Sequence, residues 1–140
     1  MSRVMAIDFG MRRIGVAVSD PLRIMAQGLE TINWNGIDSS YALDRLEAII
    51  KEKEITEIVM GKPSRTDGSV SESEEKAVLF GKLLTEKTGI TPVFRDERYT
   101  TVIASQFLRQ TGVSGKAKKK VVDQVAAEII LQEYLDMHRS

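Results

Sequence analysis

The chain has 140 residues, 42% hydrophobic and 29% charged, which suits one independently folding domain, and it has no unbroken apolar run long enough to span a bilayer. Twenty basic residues balance twenty acidic ones, so no global field draws the molecule toward polyanions, and any cationic footprint has to be local. The absence of Cys excludes disulfides, thiol catalysis and Cys-ligated metal; the one histidine, His138, stands at the C-terminal end, which leaves chemistry to carboxylates, Lys, Arg, Ser, Thr and Tyr.

In chain order, the N-terminus passes straight into a strand-like run without the series of basic region, apolar stretch and cleavage site that marks export, so a single cytosolic domain over 1–140 is expected. Val4-Met5-Ala6-Ile7 and Ile14-Gly15-Val16-Ala17-Val18 are β-branched or apolar runs joined by a short connection through Met11-Arg12-Arg13, which reads as a β-hairpin. Asp20-Pro21 punctuates it, and Ala26 to Ile32 supplies a third antiparallel strand before a loop around Trp34 and Gly36. The period then changes. Asp38 and Ser39 offer N-caps to a helix carrying Leu43, Leu46, Ile49 and Ile50 as far as Lys53. Glu57 to Gly61 is a buried strand, and Ser71 to Thr88 is a helix with Ala77, Phe80, Leu83 and Leu84 on one face, stopped by Gly89. A strand from Pro92 to Arg95, a helix from Thr100 or Thr101 through Leu108, and a last helix from about Lys119 to Met137 complete the order β-β-β-α-β-α-β-α-α. An antiparallel meander followed by right-handed crossovers gives a mixed sheet flanked by helices.

Polar residues occupy several places that packing alone would not choose. Asp8 stands inside an apolar strand, where a carboxylate is disfavoured unless it is paired or bound to a cation; the alternative is a turn-capping Asp followed by Gly10 at positive φ. Asp96-Glu97-Arg98 ends a strand, at the edge where open α/β sheets form ligand crevices, or else makes a solvated ion pair. At about 100° per residue, Ala127, Ile130 and Tyr134 all project within roughly 40° of Asp123, so this acid interrupts a packing face, while Gln124, Glu128 and Gln132 line a separate polar stripe. An N-cap or an Arg pair would also account for Asp123. The run Lys116 to Lys120 precedes it, and Arg12, Arg13, Arg95 and Arg98 flank the other acids, as cations meeting a phosphate backbone would. The loop from Lys62 to Ser69 is either a substrate contact or a plain connection.

Four segments together, Asp8-Phe9-Gly10-Met11-Arg12-Arg13-Ile14-Gly15-Val16-Ala17-Val18-Ser19-Asp20, Gly61-Lys62-Pro63 to Asp67-Gly68-Ser69, Asp96-Glu97-Arg98-Tyr99-Thr100-Thr101 and Lys118-Lys119-Lys120-Val121-Val122-Asp123, resemble the YqgF family in order and spacing across essentially the whole chain. That bacterial RNase H-like group is described both as Holliday junction resolvases and as pre-16S rRNA nucleases. The resemblance implies an α/β, RNase H-like fold with a mixed five-stranded sheet of order 3-2-1-4-5 in which strand 2 is antiparallel. It also implies a catalytic, metal-binding set of Asp8, Glu97 and Asp123, with Asp96 as the alternative to Glu97. Lys62 departs from the family, which usually has Leu between the Gly and Pro.

Three clustered acids would hold one or two Mg²⁺ or Mn²⁺ ions, which prefer oxygen ligands, and hydrolyse a phosphodiester without any histidine. The expected substrate contacts are Arg12, Lys62, Arg98, Lys118, Lys119 and Lys120. Asp-x-Gly near an N-terminus also opens actin-like ATPases and sugar kinases, but those close two such domains around ATP, and this chain has no second Asp-x-Gly strand. A nucleic-acid-binding module without catalysis is the other rival, against which the intact acids argue. Expected partners are pre-rRNA within a ribosomal precursor, or branched DNA, with no membrane. Processing of the pre-16S 5′ end suits a monomer; junction resolution is the alternative and needs two sites in a symmetric dimer, so the assembly expected is a monomer or weak homodimer.

Overall fold

The computed structural model describes residues 2–62, 72–96 and 115–137, and at Lys62, Asp96 and residues 115–123 the course of the backbone. Strands β1 (Arg3–Phe9), β2 (Arg13–Ser19) and β3 (Ala26–Asn33) precede helix α1 (Ser40–Lys53), strand β4 (Ile55–Lys62), helix α2 (Glu72–Thr88), strand β5 (Val93–Asp96) and helix α3 (Gly115–Met137). They form one five-stranded sheet in the order β3-β2-β1-β4-β5. β2 is antiparallel to both β1 and β3, while β4 runs parallel to β1 and β5 parallel to β4. This is the expected order, with β2 the reversed strand. The helix expected through residues 100–108 lies outside the described residues.

Alternation along β1 divides the core. Met5, Ile7 and Phe9 join Ile14, Val16 and Ile32 on the face covered by α1 and α2, where Leu46, Ile49, Phe80 and Leu84 are buried. Val4 and Ala6 join Ala17 and Val59 on the opposite face, under Ala127, Ile130, Leu131 and Tyr134 of α3. β1 is therefore buried on both faces, as a central strand served by crossover helices must be.

Helix ends carry the signals that the sequence offers, with one exchange of roles. Ser39 occupies the N-cap of α1 without a side-chain cap bond; the neighbouring Asp38 carboxylate accepts from the Ser40 N–H at 3.0 Å instead. α1 ends at Glu54 in the left-handed region, its N–H bonding to the Ile50 carbonyl, and Lys51 and Lys53 lie in the last turn, where the helix dipole favours cations. α2 stops at Gly89, which takes φ of +78° and donates its N–H to Thr85 O at 2.8 Å.

α3 begins at Gly115, four residues ahead of the start expected from apolar periodicity. Lysines are good helix formers and carry no periodic signal, so the first turns are invisible to a pattern built on apolar spacing. The helix runs antiparallel to β1. Tyr134 donates its hydroxyl to Glu57 at 2.8 Å, and Glu57 pairs with Val4 near the start of β1. Ten residues earlier, Gln124 lies over Gly28, whose strand register leads through Ala17 to Ala6. Small residues on both sides, Ala126 and Ala127 above and Ala6, Ala17 and Gly28 below, bring this helix close to the sheet.

Candidate active site

Asp8 is only 7% exposed, and with Ser19 it makes up the buried polar residues among those described. Its backbone pairs on both sides, antiparallel to Gly15 of β2 and parallel to Gly61 of β4. It is thus an interior strand residue rather than a turn residue. Gly10 serves the turn in another way than the positive φ weighed above: its φ is not positive, and a Cβ there would lie 2.5 Å from the Arg13 carbonyl oxygen, so the hairpin closes too tightly for a side chain.

By alternation Asp8 shares the face of Val4 and Ala6, the face on which α3 lies. Position 123 precedes Gln124 in α3, one turn before Ala127, so the helix carries it toward the Asp8 end of the sheet. Position 123 is also more than two turns into the helix, which removes the N-cap alternative for Asp123. On the other side, β4 and β5 end beside Asp8: Gly61 pairs with Asp8 and with Arg95, and Lys62 pairs with Asp96. The carboxyl ends of β1, β4 and β5 therefore meet at one edge, where open α/β sheets place their ligands.

The expected site residues divide accordingly. Asp8 and Arg12 are described with their side chains, and Arg12 is exposed in the β1–β2 turn. Its backbone is fixed from outside: the Trp34 N–H donates to Arg12 O at 3.0 Å, and the Trp34 indole donates to Gly10 O at 2.8 Å. The Trp34 ring packs against Phe9 and Phe80, with centroids 5.6 and 6.3 Å away. Lys62, Asp123, Lys118, Lys119 and Lys120 are placed by their backbone alone, at the end of β4 and in the first three turns of α3. Glu97 and Arg98 lie outside the described residues. Among the described residues no three carboxylate or imidazole groups converge.

A carboxylate suits a hard divalent cation. At Asp8 the donor is held on a backbone paired to both neighbouring strands, and the residues paired with it on each strand are glycines, so neither strand neighbour sets a side chain beside it. Asp8 fits one ligand of such an ion, while Glu97 and the side chain of Asp123 lie outside the described residues. Composition and periodicity do not reveal these flanking glycines, nor the pinning of the hairpin by Trp34, because both depend on strand register; the signal available was Gly15 and Gly61 interrupting otherwise apolar runs.

Other groups hold the fold away from this edge, toward the start of β1 and along β3. Asp20 accepts from Ile24 N at 2.7 Å and Met25 N at 2.9 Å; these bonds, led by that from Met25, hold its carboxyl below the usual value. Gln132 accepts from Ala26 N at 2.9 Å and donates to Ile24 O at 3.0 Å, tying α3 to the start of the edge strand β3. Arg45 makes a two-point contact with Glu30, at 2.9 and 2.6 Å, that joins α1 to β3. None of the helices among the described residues is long and apolar enough to cross a membrane.

A mixed sheet in this order, with helices on both faces, defines an RNase H-like α/β domain. Two solved structures share it: Thermus thermophilus RuvC in complex with a Holliday junction substrate, with TM-score 0.58, 12% identity and coverage of 97% of this chain and 96% of that one, and the fowlpox virus resolvase bound to Holliday junction DNA, with TM-score 0.60, 10% identity and 99% coverage of both. At such identity they establish the fold alone. The chain belongs to the RuvX family, described as Holliday junction resolvase, which it matches over residues 2–137; this is the YqgF group that the motifs indicate. Relatives named "Putative pre-16S rRNA nuclease" include those of Leuconostoc mesenteroides, 42% identical over 135 residues covering 96% of this chain and 94% of that one, and Clostridioides difficile, 44% identical over 134 residues with the same coverage. The Bacillus subtilis relative is 40% identical over 134 residues, covering 96% of this chain and 97% of its own.

Proposed function

We propose that this protein is a metal-dependent nuclease that hydrolyses nucleic-acid phosphodiester bonds, and that it acts in the cytoplasm on the 5′ end of pre-16S rRNA. The observation that carries the reading is Asp8, a buried carboxylate at the carboxyl edge of the central strand, between the ends of β4 and β5 and the face covered by α3. Family membership and the names of relatives of nearly equal length support both the reaction and the substrate.

Asp8, Glu97 and Asp123 are the proposed ligands of one or two Mg²⁺ or Mn²⁺ ions. Asp8 contributes a rigid donor from the sheet, Asp123 one from α3, and Glu97 one from the chain that follows β5. When bound, such ions supply an activated water and charge stabilisation for the leaving oxygen. Arg12, Lys62, Arg98 and members of the run Lys118, Lys119 and Lys120 neutralise the phosphates on either side of the scissile bond and hold the strand in register.

Asp8→Asn keeps the shape of the side chain while removing its charge. It is expected to abolish Mg²⁺-dependent cleavage of a pre-16S 5′ leader with the thermal midpoint nearly unchanged; wild-type activity in this variant would overturn the reading. Junction resolution is the second reading, favoured by the family's own description. Offering a four-way DNA junction in parallel separates the two, because paired incision of opposing strands requires a symmetric dimer and leader processing does not.

A further inference from the structure

Across the site, strand register aligns one row of residues: Thr31 on β3, Gly15 on β2, Asp8 on β1, Gly61 on β4 and Arg95 on β5. Residues in such a row lie about 4.8 Å apart from strand to strand and present to the same face. From Thr31 to Arg95 the row spans roughly 19 Å, and between its two ends Asp8 is the one residue that carries a side chain. Both glycines are buried, and neither takes positive φ, so the backbone at these positions makes no demand for glycine. A glycine in a strand interior otherwise weakens the strand relative to alanine. Two of them beside the buried acid call for an explanation other than backbone conformation.

We infer that Gly15 and Gly61 are positioning residues that keep the sheet clear on both sides of Asp8, so that a partly hydrated divalent cation and the phosphate it meets can reach the carboxylate. The inference rests on the metal-ligand reading of Asp8 proposed above. A methyl at either position would stand about 5 Å from the Asp8 Cβ, in the layer that the carboxylate oxygens and their ligands occupy. Mg²⁺ holds its oxygens at about 2.1 Å in a near-ideal octahedron and keeps several waters, so it tolerates little intrusion there. The two glycines clear different sides. Gly61 separates Asp8 from β5, whereas Gly15 separates it from β3.

The test uses the full chain with Mn²⁺ as the probe, counting free ion by electron paramagnetic resonance, and records the thermal midpoint of the metal-free protein. Gly15→Ala and Gly61→Ala are each expected to bind Mn²⁺ at least tenfold more weakly than wild type, while the metal-free midpoint stays level or rises. Wild-type Mn²⁺ affinity in both variants, with affinity lost in Asp8→Asn, overturns the glycine assignment and leaves the ligand reading standing. Unchanged affinity in Asp8→Asn overturns that reading and this inference with it. A metal-free midpoint that falls by several degrees in both alanine variants also overturns the inference, because it assigns the glycines to packing.

Discussion

Glu128 stands on α3 between Gln124 and Gln132, part of a polar stripe that the sequence sets apart from the packing face. In the fold that stripe is not a solvated flank: Gln124 lies against Gly28 and Gln132 against the start of β3, so Glu128 is partly buried between them. Burial raises its pKa above the ordinary carboxylate value. A carboxylate raised on folding binds more protons in the native state. The native state is thus favoured most at pH below the ordinary value of about 4.3, and loses that advantage as pH rises through the folded pKa. Glu128→Gln is therefore expected to raise the thermal midpoint at pH 7, with the gain disappearing near pH 4. Denaturation scans at the two pH values check this, and an equal gain at both would assign the effect to something other than ionisation. Asp20 has the opposite sign. Its carboxyl is lowered first by the Met25 N–H, so its contribution is present above the ordinary value and is lost as pH falls through the folded pKa.

At the scale of elements, α3 matters most, since among the described residues it alone covers the Asp8 face, and it carries the backbone of Asp123. Its axial position is set at two points by polar groups, Gln132 on Ala26 and Ile24 and Tyr134 on Glu57. Gln132→Ala would leave the half-buried Ala26 N–H without its partner, at a cost of about 1 kcal/mol, while the exposed Ile24 carbonyl turns to water. A fall of several degrees in thermal midpoint is the expected outcome, accompanied by weaker Mg²⁺ dependence if the helix shifts along the sheet; an unchanged midpoint would mean that water replaces the amide. The sequence made the strands legible because their apolar runs are interrupted by turn residues such as Asp20 and Gly36. It made the inward stripe of α3 legible because Ala127, Ile130 and Tyr134 recur at helical spacing, and all three are buried. The lysine-rich start of α3 and the docking of its glutamines on β3 were not legible. The first carries no apolar period, and the second is a contact between residues about a hundred positions apart in sequence.

For the molecule as a whole the site could be read only in part, for the same physical reason. Asp8 announces itself by costing desolvation inside an apolar strand, and Asp123 by breaking a helix face, but their approach to one edge follows from sheet order and helix direction, which no local pattern records. The balanced charge has a further consequence. With twenty cations against twenty anions, long-range attraction to a polyanion is absent, so affinity must come from phosphate contacts made locally, and its salt dependence counts them. Each contact contributes about 0.7 to the slope of log affinity against log salt on single strands and about 0.9 on duplexes. In the proposed site Lys118, Lys119 and Lys120 occupy consecutive positions in the first turns of α3. Neighbours on a helix point about 100° apart, so one strand can meet no more than two of the three. Replacing all three by Ala is thus expected to lower the slope by roughly 0.7 to 1.4 on a single-stranded leader, rather than by the 2.1 that three contacts would give. Binding titrations over a range of KCl concentrations measure it, with Asp8→Asn as the reference that keeps every cation. A slope equal to wild type in the triple variant would remove these lysines from the interface, whatever happened to the rate of cutting.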